Sequence, residues 1–159
     1  MKADSSLRLR AAHRSEAAAI ATMSRLHVEH GLRWRWRPPR VRQQIDGPET
    51  MTLVASVDGQ MAGFAIMHFG DLRAHLLLLA VEPAHRKSGI GSAMLKWLES
   101  SCVTAGIQDV RLEVRAGNTL AQRFYRNRGY APAGRIEGYY DRREAAVILQ
   151  KVLTHHGVH

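Results

Sequence analysis

Apolar residues change their spacing several times along the chain, and each spacing predicts an element. From Leu7 to Ala11 apolar residues alternate with arginines, the period-two pattern of a short strand. Ser15-Glu16 then opens an alanine-rich stretch that reads as a helix to about Glu29, with Gly31 expected to end it. Pro38-Pro39 suits the first turn of a second short helix running to about Ile45, and Asp46-Gly47-Pro48 breaks it. Met51 to Val57 and Gln60 to Phe69 read as strands around Asp58-Gly59, a strong hairpin signal. Arg73 to Val81 supplies another strand. Its run Leu76 to Val81 lacks alternation, as expected of a central strand covered on both faces, and Pro83 stops it.

After Gly89, Ile90, Met94, Leu98 and Cys102 recur every four positions with Trp97 beside them. They predict an amphipathic helix ending near Gly106. Val110, Leu112 and Val114 alternate with Arg111, Glu113 and Arg115, so Glu113 points away from its apolar neighbours. Leu120 to Arg128 reads as a short helix ending at Gly129, and Tyr130 to Tyr140 with Ala145 to Leu153 as a final hairpin. No repeat or linker interrupts this order. A single domain is expected over residues 1–154, with a flexible tail at 155–159.

Composition narrows the picture. At 159 residues, with 45% hydrophobic and 23% charged positions, the chain suits one ordinary domain that needs neither disulfides nor metal. No apolar run approaches the roughly 18 residues of a membrane span, and Met1 to Ser5 lack the apolar core of a secretory signal. The lone Cys102 permits no internal disulfide and suits helix packing in a reducing cytosol, hence a cytoplasmic expectation.

Lys and Arg exceed Asp and Glu by 9, so the surface should attract anions such as nucleic acid, ribosomes or a phosphate-rich cofactor. The densest basic stretch, Arg33 to Arg42, interleaves tryptophans with arginines, as single-stranded nucleic-acid surfaces do. A plain solvated loop is the favoured reading of it, since no recognised nucleic-acid motif accompanies it.

One junction carries chemistry: a strand, then Glu82-Pro83-Ala84-His85, then Arg86-Lys87-Ser88-Gly89-Ile90-Gly91 opening a long helix. A helix start presents unpaired amides and a partial positive charge, and glycines at 89 and 91 would let a pyrophosphate approach. The P-loop and dinucleotide fingerprints both fail on spacing. Alone, the segment is also an ordinary glycine-rich helix cap.

Val81-Glu82-Pro83 followed by Arg86-x-x-Gly89-x-Gly91 resembles motif A of the GNAT N-acetyltransferase superfamily. Asn118, Ala121, Phe124-Tyr125 and Gly129-Tyr130 resemble its motif B. The resemblance spans nearly the whole chain, strongest from Leu76 to Leu153 and weak before Met51. Leu112 to Asn118 and Gly138-Tyr139-Tyr140 to Ile148 look most like the ribosomal-protein-alanine, or protein N-terminal, N-acetyltransferases. The fold so implied is α+β: a central mixed, mostly antiparallel sheet of six to seven strands with helices on both faces. The cofactor implied is acetyl-CoA, without metal. Leu79, Ala80 and Val81 would offer strand backbone to its pantetheine arm, by the physics of strand addition to an open sheet edge. Arg86, Lys87, Ser88, Gly89, Ile90, Gly91 and Ser92 would surround its pyrophosphate, with Asn118 nearby.

Acyl transfer to an amine needs a neutral nucleophile and a proton for the departing thiolate. The resemblance makes Glu113 the general base and Tyr125 the general acid. Tyrosine suits an acid because it stays protonated at neutral pH, whereas a glutamate needs burial or a relaying water. Other readings stay open: Glu113 as a surface partner of Arg111 or Arg115, Tyr125 as an aromatic packed on Phe124, and Asn118 as a helix cap. Tyr139 and Tyr140 fall where the resemblance implies the acceptor's N-terminus, and also suit cross-strand packing. Gly31 to Arg37 would form the opposite wall. His27 and His30, three apart around Glu29, lack the further ligands a metal site needs, and His85 precedes the cradle.

Three functions fit: acetyl transfer to the α-amine of a protein or peptide, acetyl transfer to a small amine such as a polyamine, amino acid or antibiotic, and a non-catalytic CoA- or nucleic-acid-binding module. A homo-oligomer is left open, and no membrane partner is expected.

Overall fold

The structure, a computed structural model, describes residues 6–153. The start at Met1 to Ser5 and the tail expected at 155–159 lie outside the described residues. Seven strands, β1 (Leu7–Ala11), β2 (Thr50–Val57), β3 (Gln60–Phe69), β4 (Arg73–Val81), β5 (Asp109–Arg115), β6 (Ala131–Tyr140) and β7 (Glu144–Val152), form one sheet in the order β1-β2-β3-β4-β5-β7-β6. Every neighbouring pair is antiparallel except β4 and β5. Four α-helices among the described residues complete it: α1 (Ala17–His27), α2 (Pro38–Asp46), α3 (Ile90–Thr104) and α4 (Thr119–Arg126). This is the mixed α+β arrangement the resemblance implies.

Each face of the sheet has its own core. The four-residue repeat of α3 buries Ile90, Met94, Leu98 and Cys102 against Leu53, Met67 and Leu112. On the opposite face Ile20 and Ala21 of α1 and Val41 of α2 cover Val54, Phe64 and Ile66. Burying each large side chain contributes about 1.5–3 kcal/mol, so these stripes fix where the helices sit. Burial pushes the Cys102 thiol up to about 12, leaving it a packing residue. Trp97 lies outside the stripe, at 36% exposure on the flank of α3.

The leucine run in β4 carries a register shift. Leu78 pairs with Ile66 but Leu76 with Met67, so Leu77 is the extra residue of a bulge. Leu76 therefore joins the α3 core while Leu78 and Ala80 join the α1–α2 core. Both faces are covered, as the run predicts, but the bulge decides which leucine faces which side.

Some element ends differ from expectation. Helix α1 stops at His27, leaving Glu29 outside it, and α4 stops at Arg126. Tyr130 precedes β6 and is buried against Tyr125, with ring centroids 5.6 Å apart. The β2–β3 hairpin turns at Asp58-Gly59 as predicted. The β6–β7 hairpin turns at Asp141 and Arg142, both left-handed at φ 53° and 59°, without the glycine that would have marked them.

Candidate active site

Strands β4 and β5 pair only from Arg73–Asp109 to His75–Arg111 and then diverge. Each keeps its other neighbour: β3 follows β4 to Val81, and β7 follows β5 to Arg115. From Leu76 to Val81 one edge of β4 consequently has no strand partner. A cleft of about 440 Å³ fills the gap, walled by Leu76 to Leu79 on one side and Leu112 to Arg115 on the other. Of the three residues expected along it, Leu79 lines the cleft, Ala80 turns into the α1–α2 core, and Val81 packs against the α3 core.

Val81 leads into the cradle. Its carbonyl accepts the Arg86 Nε–H at 3.2 Å, so that guanidinium folds back on the strand end, and Ser88 donates its hydroxyl proton to the His85 carbonyl. Lys87 and Gly89 have φ of 65° and 84°, and no side chain caps α3 at Gly89. The first amides of α3, from Ile90 through Ser92, are therefore left for an anion. The two glycines serve different ends. Gly89 faces open space and is needed for its left-handed backbone, whereas a Cβ at Gly91 would meet the Phe124 ring at 3.2 Å. Gly91 thus has a packing role beside Phe124 in addition to the room for a phosphate expected of both glycines. An uncapped helix start beside an unpaired strand edge fits a pyrophosphate joined to a flexible amide-bearing arm.

Within the cleft, Glu113 Oε1 lies 2.7 Å from His75 Nε2 and 3.4 Å from the Tyr139 hydroxyl. Its side chain is 14% exposed. Neither neighbouring arginine binds it: Arg115 reaches Glu144 at 2.8 Å and the His30 carbonyl at 2.7 Å. The Tyr125 ring packs edge-on against Phe124, with centroids 5.1 Å apart, and also lines the cleft. Burial raises the Tyr125 phenol well above the usual tyrosine range, so it holds its proton. Asn118 lines the cleft while its Oδ1 caps α4 by accepting the Ala121 N–H at 3.1 Å. Tyr139 and Tyr140 touch edge-to-face at 4.9 Å, and both phenols are raised, chiefly by burial.

The loop between α1 and α2 forms the opposite wall. Buried Glu29 holds it, accepting from Ser24 Oγ (2.8 Å), the Arg35 N–H (2.7 Å) and the Trp36 N–H (3.2 Å). Asp141 ties this wall to the β6–β7 hairpin by accepting from the Arg33 N–H at 2.7 Å and the Arg35 guanidinium at 2.9 Å. These bonds, the backbone one foremost, lower the Asp141 carboxyl below its ordinary value. The arginine–tryptophan stretch is used internally. Arg25 and Arg37 lie over Trp34, whose indole N–H binds the Ala21 carbonyl, and Arg40 lies over a Trp36 ring only 8% exposed. His27 sits 3.4 Å from Glu82. Among the described residues no group of three metal-ligating side chains forms.

The sequence profile of the Acetyltransferase (GNAT) family matches residues 19–130. The chain belongs to that family. It is accordingly an acetyl-CoA-dependent N-acetyltransferase, which sets aside the non-catalytic module. It is 33% identical over 129 residues to the ribosomal protein bS18-alanine N-acetyltransferase of Escherichia coli, covering 77% of this chain and 85% of that protein. An uncharacterized N-acetyltransferase of Methanocaldococcus jannaschii is 36% identical over 99 residues, 62% of this chain and 64% of that protein. The crystal structure of the Escherichia coli ribosomal-protein-S18-alanine N-acetyltransferase shares the fold with a TM-score of 0.81. That superposition covers 96% of this chain and 99% of the other at 23% identity. No helix among the described residues of this acetyltransferase is long and apolar enough to cross a membrane.

Three site residues escaped the sequence reading. His75 needed the β4–β5 register to be seen beside Glu113. Glu29 looked like one more polar residue near a helix end. Asp141 sits in a turn that lacks its usual glycine.

Proposed function

We propose that this acetyltransferase acetylates the N-terminal α-amine of a protein or peptide, with Glu113 and His75 handling the amine's proton and Tyr125 protonating the leaving group. The carrying observation is the 2.7 Å His75–Glu113 contact at the floor of a cleft with a wall on each side, the α1–α2 loop and the β6–β7 hairpin. The Escherichia coli relative named for an alanine N-terminus supports the acceptor class.

Acetyl-CoA, when bound, supplies an acetyl group activated as a thioester. The open edge of β4 through Leu79, Ala80 and Val81 would hold its pantetheine arm. Lys87 to Ser92 with Arg86 would hold its pyrophosphate, and Asn118 would border it. Glu113 Oε1 takes a proton from the acceptor ammonium, directly or through a water, and His75 Nε2 stabilises either protonation state of that carboxyl. The freed amine then attacks within the ternary complex. Tyr125 delivers its phenolic proton to the departing sulfur; burial keeps that proton in place until the thiolate forms, although the same burial weakens the phenol as an acid. Tyr139 and Tyr140 flank the amine's approach. A cytoplasmic setting accords with the reduced, buried Cys102.

The test incubates the protein with acetyl-CoA and a mixture of N-terminal peptides, lysine peptides and small amines, and identifies products by mass. Acetylated α-amines are expected. Acetylation confined to small amines would overturn the peptide reading in favour of a polyamine, amino acid or antibiotic acceptor.

A further inference from the structure

Beyond Tyr139 the cleft opens into a second cavity, an open basin of about 640 Å³. The two are continuous in their walls, because Leu32, Arg33, Arg35 and Asp141 line both. Whatever projects from the cleft at this end enters the basin.

The basin is basic. Arg33, Arg35, Arg142 and Arg143 face one carboxylate, Asp141, already committed to the Arg33 N–H and the Arg35 guanidinium. Arg33, Arg142 and Arg143 form no ion pair among the described residues. Three guanidinium groups thus stand exposed at one opening, and the only acidic group lining it among the described residues is Asp141, whose carboxyl Arg143 helps to lower from a distance. The turn presenting two of them is strained, since Asp141 and Arg142 adopt φ of 53° and 59° where a glycine or asparagine would be cheaper. The two bonds from Asp141 to the α1–α2 loop hold that turn against the basin.

Resting on the reading of a peptide acceptor, we propose that the preferred acceptor carries carboxylate side chains in the few residues after its α-amine. Arg33, Arg142 and Arg143 recognise them. Arginine suits this because its planar fork pairs with a carboxylate through two hydrogen bonds. The pyrophosphate of the donor is not the ligand, because the basin shares no residue with the Arg86 to Ser92 cradle. Single-stranded RNA fits less well than peptide. Stacking platforms need open rings, while Trp36 is buried and Trp34 lies under two guanidinium groups.

Three peptides that share an N-terminal Ala and differ only in carrying Glu, Gln or Arg at the next three positions test the proposal. The comparison is kcat/KM at saturating acetyl-CoA, for the wild-type chain and for Arg33→Gln with Arg143→Gln. Arg142 is left in place because of its backbone. The Glu peptide should exceed the Gln peptide about three- to tenfold, as a few screened ion pairs allow. The Arg peptide should be slowest, and the spread should shrink at high salt. The double variant should bring the Glu and Gln peptides to within about twofold, with the KM for acetyl-CoA reporting an intact donor site.

Acetylation of all three peptides alike, or fastest for the Arg peptide, overturns this proposal and leaves the peptide reading standing. No acetylation of any peptide removes both. Binding of a single-stranded RNA oligonucleotide that the double variant abolishes, with peptide kinetics unmoved, assigns the arginines to nucleic acid and overturns it as well.

Discussion

His75 Nε2, on the last paired residue of β4, meets Glu113 Oε1 at 2.7 Å, two residues past the last paired residue of β5, where the sheet begins to open. The strands are close enough there to bring an imidazole and a carboxylate together, and far enough apart beyond it to admit substrate.

Glu113→Gln should lower kcat about 10²–10⁴-fold, the usual range for a positioned acid or base. His75→Gln keeps a hydrogen-bonding group beside Glu113, so it should cost less. Pre-steady-state kinetics on a peptide acceptor read both. An unchanged kcat in the His75 variant would leave that residue a mere packing partner.

Tyr125→Phe removes a hydroxyl that has no hydrogen-bond partner among the described residues while keeping the ring packed on Phe124 and Tyr130. Stability should change by less than about 1 kcal/mol, whereas kcat should fall roughly 10²-fold or more. Thermal melts beside steady-state kinetics separate the two effects. Equal kcat for both proteins would exclude the phenol as the acid.

Gly91→Ala places a Cβ 3.2 Å from the Phe124 ring and should raise the KM for acetyl-CoA by displacing the start of α3. Gly89→Ala meets no atom within 4 Å but must adopt φ of 84°, at a cost of about 1 kcal/mol or more. Titrating CoA calorimetrically and recording melting curves should show a binding loss in the first and a stability loss in the second.

Glu29→Gln leaves the loop with a neutral acceptor in place of a buried carboxylate that receives three hydrogen bonds. A loss of about 1–3 kcal/mol is expected, together with a higher KM for the acceptor and an unchanged KM for acetyl-CoA. An equal rise in both constants would mean that the loop does not act on the acceptor side alone.

Burial raises the phenols of Tyr125, Tyr130 and Tyr140. The folded chain therefore keeps protons that the unfolded chain releases near pH 10, and stability should be full below that pH and fall as pH rises above it. At the other end, Glu16, Asp141 and Glu144 are lowered by their hydrogen bonds, Glu16 chiefly by Arg10 and the other two chiefly by backbone amides. Their contribution is complete above about pH 4 and is lost as pH drops through their depressed values. Melting temperature measured across pH, with phenolate absorbance at the alkaline end, checks both limbs.

Much of this was legible in the chain because it depends on neighbours in sequence. The repeat Ile90, Met94, Leu98, Cys102 specifies a helix face, the alternation around Glu113 specifies which way that carboxylate points, and the glycine pattern after Pro83 marks the cradle. Each follows from the fixed periods of helix and strand. Tertiary structure decided what depends on register between distant segments. His75 meets Glu113 only because β4 and β5 pair in parallel at one register, and Leu77 bulges only against β3. Glu29 becomes a buried staple, and Asp141 a tether 108 residues from Arg33, only when the loop and the hairpin close on the same cleft. Such contacts join groups with no common period, so the candidate donor cradle follows from local pattern while the proposed acceptor wall depends on the fold.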